Sequence, residues 1–292
     1  MKTEDFKYIK ATSLEEVFAL QAKYGENAQI LAGGQSLIPM INLRMTSPAT
    51  LIDISGLQDL KGITHQRSPG RVAIGALTTH AQILNSKTVT EHVPLLAQAV
   101  PHVAHLAIRN SGTIGGSLAL ADPAAEYPCV ALALNAQVVL KRKGGERRVS
   151  AEEFFQGLYK TAIEPGEVLT AVEFLEAAQN QRTFFTELAR RKGDYALVGV
   201  AINLTLQGSV ISSARFAFMA LEDRPVLAKQ AMKSLVGQSF NSTTPRLSAN
   251  VSDALRKDIS PWGDLQVTGE TKSHLAGVIL GRALFEMAAQ NV

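Results

Sequence analysis

The sequence predicts an α+β protein with a separate C-terminal domain built from an antiparallel sheet and helices. Three observations lead there. Residues 1–177 mix short apolar strand runs with capped helical segments in no regular βαβ alternation. Long stretches of alternating polarity at 183–191, 196–206 and 210–221 then suggest an antiparallel meander. Between the two textures lies the polar run Ala177-Ala178-Gln179-Asn180-Gln181, a natural boundary, giving units of 1–177 and 178–292. The first divides again into about 1–55 and 56–177.

Ser13-Leu14-Glu15-Glu16 has the spacing of a capping box, and Leu14, Val17, Phe18 and Gln21 share one helical face up to about Tyr24, where Gly25 is the stop. Residues 29–32 read as a buried strand ending at Gly33-Gly34. Further strands are expected at 50–54, 62–65 and 72–75. Thr78 or Thr79 can cap a helix over 81–84, and 94–103 reads as another. Pro123 occupies a first-turn position of a helix that Asp122 would cap. QVVLKRKGGERRVS is a hairpin turning at Gly144-Gly145; Ser150-Ala151-Glu152-Glu153 is a second capping box; and a strand over 169–174 finishes the first unit. After the meander, helices are expected at about 224–236, 250–258 and 271–289.

Composition narrows the function. The chain has 292 residues, 46% apolar and 19% charged, and a formal net charge of +3 without long single-sign runs, so nucleic-acid binding has little electrostatic support. Cys129 is the single cysteine, which excludes an internal disulfide and any cysteine-ligated cluster formed by this chain alone. The N-terminus lacks an apolar signal core and no apolar run is long enough to cross a bilayer, so cytoplasmic residence is expected. The six histidines form no metal-ligand motif, and no metal site is expected. No nucleophile or paired acid and base stands out, so no catalytic residue is assigned.

Two glycine loops carry the chemistry that remains. Consecutive glycines after a strand allow backbone N–H groups to point outward together, since glycine accepts positive φ and has no β-carbon to block an approaching ligand. Gly33-Gly34-Gln35-Ser36 adds side-chain donors, and Thr113-Ile114-Gly115-Gly116-Ser117 repeats the arrangement. A diphosphate flanked by nucleosides would need two such nests. Taken alone, either pair reads more readily as a plain turn, as Gly144-Gly145 illustrates. No G-x-G-x-x-G or P-loop sequence is present.

AGGQSLIPMINLRM (32–45) with LIDIS (51–55), and TIGGSLALADPAAEYPCVALALNA (113–136), resemble the two FAD-binding signatures of the molybdenum hydroxylase flavoprotein, the medium subunit of the carbon monoxide dehydrogenase and xanthine dehydrogenase family. FFQGLYKTAIEPGEVLTAVEF (154–174) and FTELARRKGDYALVGVA (185–201) resemble family segments in the same order.

The resemblance implies a two-subdomain FAD-binding fold of the PCMH type followed by the family's flavoprotein C-domain. It implies FAD contacts from Ala32, Gly33, Gly34, Gln35 and Ser36 in one loop and Thr113, Ile114, Gly115, Gly116 and Ser117 in the other. Gln35 would bind the cofactor or brace its loop. Asp122 and Glu126 match acidic positions that can accept hydrogen bonds from cofactor hydroxyl or adenine groups, although Asp122 serves equally as a helix cap. Val103 and Leu169 match apolar positions near the cofactor, where core packing is the competing role. Tyr195 matches an aromatic beside the isoalloxazine ring. Leu120 stands where many relatives have His or Asn, and Glu187 where some have Lys; neither role carries over.

The implied function is an electron-transfer subunit. Substrate would be hydroxylated at a molybdenum-pterin cofactor on a large subunit, and electrons would pass through 2Fe-2S clusters on a small subunit to FAD in this chain, then to an external acceptor. A dimer of heterotrimers is the implied assembly. Two other readings stand beside it: a stand-alone flavin-dependent oxidase or reductase on a related fold, and a scaffold whose glycine loops are only turns.

Overall fold

A computed structural model describes residues 3–240 and 249–289. The N-terminal portion is a three-stranded parallel sheet, ordered β1-β3-β2, formed by β1 (Lys7–Lys10), β2 (Ala28–Leu31) and β3 (Thr50–Asp53). Helix α1 (Leu14–Tyr24) links β1 to β2, and α2 (Leu37–Asn42) follows the first glycine loop. Ser13 caps α1 by accepting the Glu16 N–H at 3.2 Å, but Glu16 reaches back to the N–H and hydroxyl of Thr12, so only half of the expected box forms. Val17 buries against Ile52, Ile54 and Leu57 to make a small core of its own.

The second portion is built on a five-stranded antiparallel sheet ordered β4-β5-β10-β6-β7. Its first strands are β4 (Ile63–Gln66) and β5 (Arg71–Gly75). A helical layer follows: α3 (His80–Leu84), α4 (Lys87–His92), α5 (Pro94–Ala99), α6 (Leu106–Ser111), α7 (Ile114–Leu120) and α8 (Glu126–Ala133). Thr79 forms a full capping box with Gln82 at α3. The helix expected over 94–103 stops at Ala99 and tightens into a 3₁₀ turn over 100–102, because Pro101 cannot donate to the α ladder. Strands β6 (Gln137–Arg142) and β7 (Gly145–Ser150) form the expected hairpin, with Gly144 at φ +81° in its turn. The short α9 (Ala151–Phe154), capped by Ser150, leads through β8 (Phe155–Gly157) and β9 (Lys160–Thr161) to the central β10 (Val168–Leu175). Tyr127, Phe154 and Phe174 are fully buried between sheet and helices.

The last sheet is the expected meander: β11 (Gln181–Ala189), β12 (Ala196–Gln207), β13 (Val210–Met219) and the short β14 (Val226–Leu227). Helices α10 (Lys229–Leu235), α11 (Ala249–Asp258) and α12 (Gly269–Ala289) cover its face, burying Leu235, Leu255, Ile279 and Leu280 against Val200, Ile202 and Phe216. The helix expected from 224 begins at Lys229, since Pro225 and the β14 pairing keep the preceding residues extended. Among the described residues no helix is long and apolar enough to cross a membrane.

Candidate functional site

The first glycine loop leaves the end of β2, where the Leu31 carbonyl accepts the N–H of Ile54 at 2.9 Å. Gly34 takes φ +71°, which turns the chain into α2 at no side-chain cost. The Gly34 and Ser36 carbonyls receive the N–H groups of Ile38 and Met40, and the Ser36 hydroxyl makes no capping bond to α2. Among the described residues, nothing accepts from the backbone N–H groups of Gly33, Gly34, Gln35 or Ser36. Four consecutive donors are thus available at a strand end, the chemistry an anionic diphosphate needs. Gln35 braces the loop from within, donating its amide to the Gly33 carbonyl at 3.2 Å.

The second loop differs from the expected open nest. Thr113 is the N-cap of α7 and accepts the Gly116 N–H at 3.1 Å. The N–H groups of Ile114, Gly115 and Ser117 go to Thr78, Ala76 and Thr113 carbonyls. A helical first turn with a cap and a neighbouring strand end satisfies the donors that a bare loop would leave free. Gly115 is required here for packing: a β-carbon would stand 2.5 Å from that of Ala76. Gly116 and Ser117 are half-buried, and a β-carbon on Gly116 would stand 3.0 Å from the Thr113 hydroxyl.

Tertiary packing joins the two loops. Gly33 rests against Ser111 and Gly112, directly before Thr113, so that 33–36 and 113–117 flank one junction. Ala76, Thr78 and Ser111 hold that junction through backbone carbonyls, a role that their side chains do not signal in the sequence.

Two acids follow directly behind the second loop, Asp122 past the end of α7 and Glu126 at the start of α8. Asp122 does not cap a helix opened by Pro123. It accepts the Ala124 N–H at 2.9 Å in a local turn, and α8 starts at Glu126 behind Ala125. Ala121, in the left-handed conformation, ends α7 and leaves residues 122–125 to redirect the chain. Burial pushes the Asp122 carboxyl up, and pushes Glu126 up to about 7, helped there by the charges of Glu187 and Asp122. Glu126 can therefore hold a proton near neutrality and donate as well as accept. Burial, then Asp122, Tyr159 and Glu126, also raise the phenol of Tyr195, which places that exposed ring in the same electrostatic neighbourhood. Glu187 faces His102 at 3.2 Å through one oxygen, and its other oxygen is buried without a partner among the described residues. Tyr159 was not singled out from the sequence; Glu187 stood there only as a replacement of a family lysine, and His102 only among the histidines that form no metal-ligand motif.

Val103 and Leu169 both lie in the large core. Arg109 fixes the turn at Val103 by donating to the Val103 and Ala104 carbonyls at 2.9 and 2.8 Å. Gly193, at φ +86°, seats the Tyr195 loop against His105, where a β-carbon would stand 2.5 Å from the ring. Leu169 lies beside the bulge in β10.

The donor array at 33–36, the adjoining Gly116 and Ser117, and a proton-holding carboxyl with an exposed tyrosine suit a flavin dinucleotide, which offers phosphate, hydroxyl, adenine and ring surfaces in sequence. Comparison with known proteins agrees. Residues 4–174 match the FAD binding domain in molybdopterin dehydrogenase, and residues 183–287 the CO dehydrogenase flavoprotein C-terminal domain. The glyceraldehyde dehydrogenase medium chain of Sulfolobus acidocaldarius is 35% identical over 289 residues, covering 99% of this chain and 100% of its own. Carbon monoxide dehydrogenase from Hydrogenophaga pseudoflava, solved in a form lacking the Mo-pyranopterin moiety, superposes with a TM-score of 0.93 at 33% identity over 99% of both chains. Quinoline 2-oxidoreductase from Pseudomonas putida 86 gives 0.92 at 37% identity, again over 99% of both. The chain therefore belongs to the molybdenum hydroxylase flavoprotein family, as an FAD-binding, medium-type oxidoreductase subunit.

Proposed function

We infer that this subunit binds FAD across the junction of its two glycine loops and carries electrons from 2Fe-2S clusters on a small partner subunit to an external acceptor. Bound FAD supplies the redox chemistry, taking up and releasing electrons singly or in pairs. Gly33, Gly34, Gln35 and Ser36, beside Ala32, hold the diphosphate through their unpaired N–H groups. Thr113, Gly116 and Ser117 line its other side, with Ile114 and Gly115 supporting from behind because their own N–H groups are spent on the Thr78 and Ala76 carbonyls. Asp122 and Glu126 meet hydroxyl or adenine groups, and a protonated Glu126 can donate to them as well as accept. Tyr195 covers the ring system, and Val103 and Leu169 shape the apolar wall.

The division of labour follows from the cysteine content. Cys129 is buried, its thiol faces the Ala217 carbonyl at 3.2 Å, and burial raises its pKa, so it is no cluster ligand. Iron–sulfur and molybdenum-pterin chemistry then belongs to separate small and large subunits, in a dimer of heterotrimers in the cytoplasm. Residues 1–177 form the FAD-binding unit and 178–292 the C-terminal one.

The observation that carries this reading is the contact between Gly33 and Ser111–Gly112, which sets the free donors of one loop beside the other. The test is to purify the chain with its partners, release the chromophore by denaturation and follow acceptor reduction. One FAD per chain, with acceptor reduction lost on flavin removal, is expected. A folded, FAD-supplemented complex without flavin, or one that reduces its acceptor equally well after flavin removal, would refute it. Full turnover by the isolated chain would favour the stand-alone oxidase.

A further inference from the structure

The sequence shows no metal-ligand spacing, yet the fold brings His65, His92 and Glu176 together from three elements, with one potential ligand atom of each within 4.8 Å of the others. We propose that these three side chains form a transition-metal site, with Zn²⁺ as its natural occupant, that fastens the start of the interdomain segment to the FAD-binding domain.

The geometry supports a shared ion. His65 Nε2 lies 3.0 Å from one Glu176 oxygen and His92 Nδ1 lies 2.7 Å from the other. The two rings stack with centroids 3.8 Å apart and planes at 27°. Both rings thus present a nitrogen to the same carboxylate. Each such nitrogen carries a proton or takes a metal, and one divalent ion replaces two N–H contacts with two N–metal bonds. Two imidazoles and a carboxylate are a donor set for Zn²⁺ and its neighbours rather than for Mg²⁺ or Ca²⁺, which prefer all-oxygen ligation. The side chains of His65, His92 and Glu176 keep 17, 23 and 34% exposure, enough for water to complete a tetrahedron.

The surroundings hold the ligands in place. His65 stands on β4 opposite Val72, and His92 ends α4. Glu176 is fixed through its N–H to the Gly70 carbonyl at 2.9 Å, and the next N–H, of Ala177, goes to the His92 carbonyl at 2.9 Å. When Nδ1 of His92 binds metal, its ring proton moves to Nε2, which faces the Glu91 carboxylate 3.9 Å away. None of these residues belongs to either glycine loop, so the site stands whether or not the flavin reading does.

The test uses the full chain with its FAD content assayed in parallel. After stripping with a chelator, equilibration at micromolar free Zn²⁺ and desalting, elemental analysis is expected to find one Zn²⁺ per chain. Retention should fall at least tenfold in His65→Gln, His92→Gln and Glu176→Gln and stay unchanged in His274→Gln, an exposed histidine elsewhere. Zn²⁺ should raise the melting temperature of the wild type and leave that of His92→Gln where it was. Should a variant fail to fold, Co²⁺ added to the wild type decides: visible bands of a four-coordinate nitrogen and oxygen site support the proposal, and the weak spectrum of aqueous Co²⁺ overturns it. Absence of Zn²⁺ from the wild type, or equal retention by folded variants, also overturns it.

Discussion

Gly33 lies so close to Ser111 that a β-carbon built on it would stand 2.1 Å from the Ser111 carbonyl oxygen. Backbone faces backbone there, so no rotamer change can relieve the contact, and the chain must move one loop away from the other.

Gly33→Ala should accordingly lower stability by about 1–3 kcal/mol and reduce flavin content, since both effects come from the same separation of loops. Gly145→Ala, in a hairpin position where a β-carbon meets nothing within 4 Å, should change stability by no more than about 0.5 kcal/mol. Thermal melts and flavin-to-protein ratios of the two variants make the comparison.

The pH dependence has two opposing parts. Glu126, raised from 4.5 to about 7, holds a proton in the folded chain that the unfolded chain has released. Its contribution is full below pH 4.5 and is lost as pH rises through about 7. His80, lowered from 6.5 to about 4 by burial and then by Arg109, does the reverse. Its contribution is full above pH 6.5 and is lost as pH falls through about 4. Glu126→Gln should therefore gain on the wild type between pH 5 and pH 8, by about 1–3 kcal/mol. His80→Asn should flatten the acid limb. Urea unfolding across that range would measure both, and a parallel pH profile for wild type and Glu126→Gln would count against the assignment.

In the C-terminal domain Lys272, almost fully buried, donates to the Ala220 carbonyl and to Asp264, each at 2.8 Å. The Lys272 ammonium and two backbone N–H groups hold the Asp264 carboxyl at about 2, so its contribution is present above pH 3.8 and is lost as pH falls through about 2. Asp264→Asn should cost about 1–3 kcal/mol at pH 7 by removing the countercharge of a buried ammonium. Denaturant melts should show the loss with flavin content unchanged.

Tyr195 is 72% exposed, so its removal takes little from the core. Tyr195→Ala should leave the melting temperature within the range of a surface change, about 0.5 kcal/mol, while altering the flavin absorption envelope and the rate of flavin reoxidation. A spectrum and reoxidation rate identical to the wild type would remove Tyr195 from the ring's surroundings.

Much of the local architecture was legible because it is written in neighbouring residues. The Thr79 cap, the hairpin at Gly144 and the three long strands of the meander lie close to where pattern places them. Elements governed by distant contacts were harder. Strand β1 has the exposed, charged sequence KYIK and owes its existence to pairing with β3. Gly115 and Gly116 look like an open loop, but the end of β5 and the Thr113 cap draw them into a helix.

By itself the sequence determined the α+β class, the antiparallel C-terminal sheet, the lack of cysteine ligands for a cluster, and the family, since these depend on composition, periodicity and short ordered segments. Only the tertiary structure decided which glycine N–H groups stay free, that Gly33 meets Ser111, that Glu126 is buried beside Glu187, and that His65, His92 and Glu176 converge. Each of these joins residues far apart in the chain, and burial and backbone pairing are set by what packs alongside a residue rather than by what precedes it.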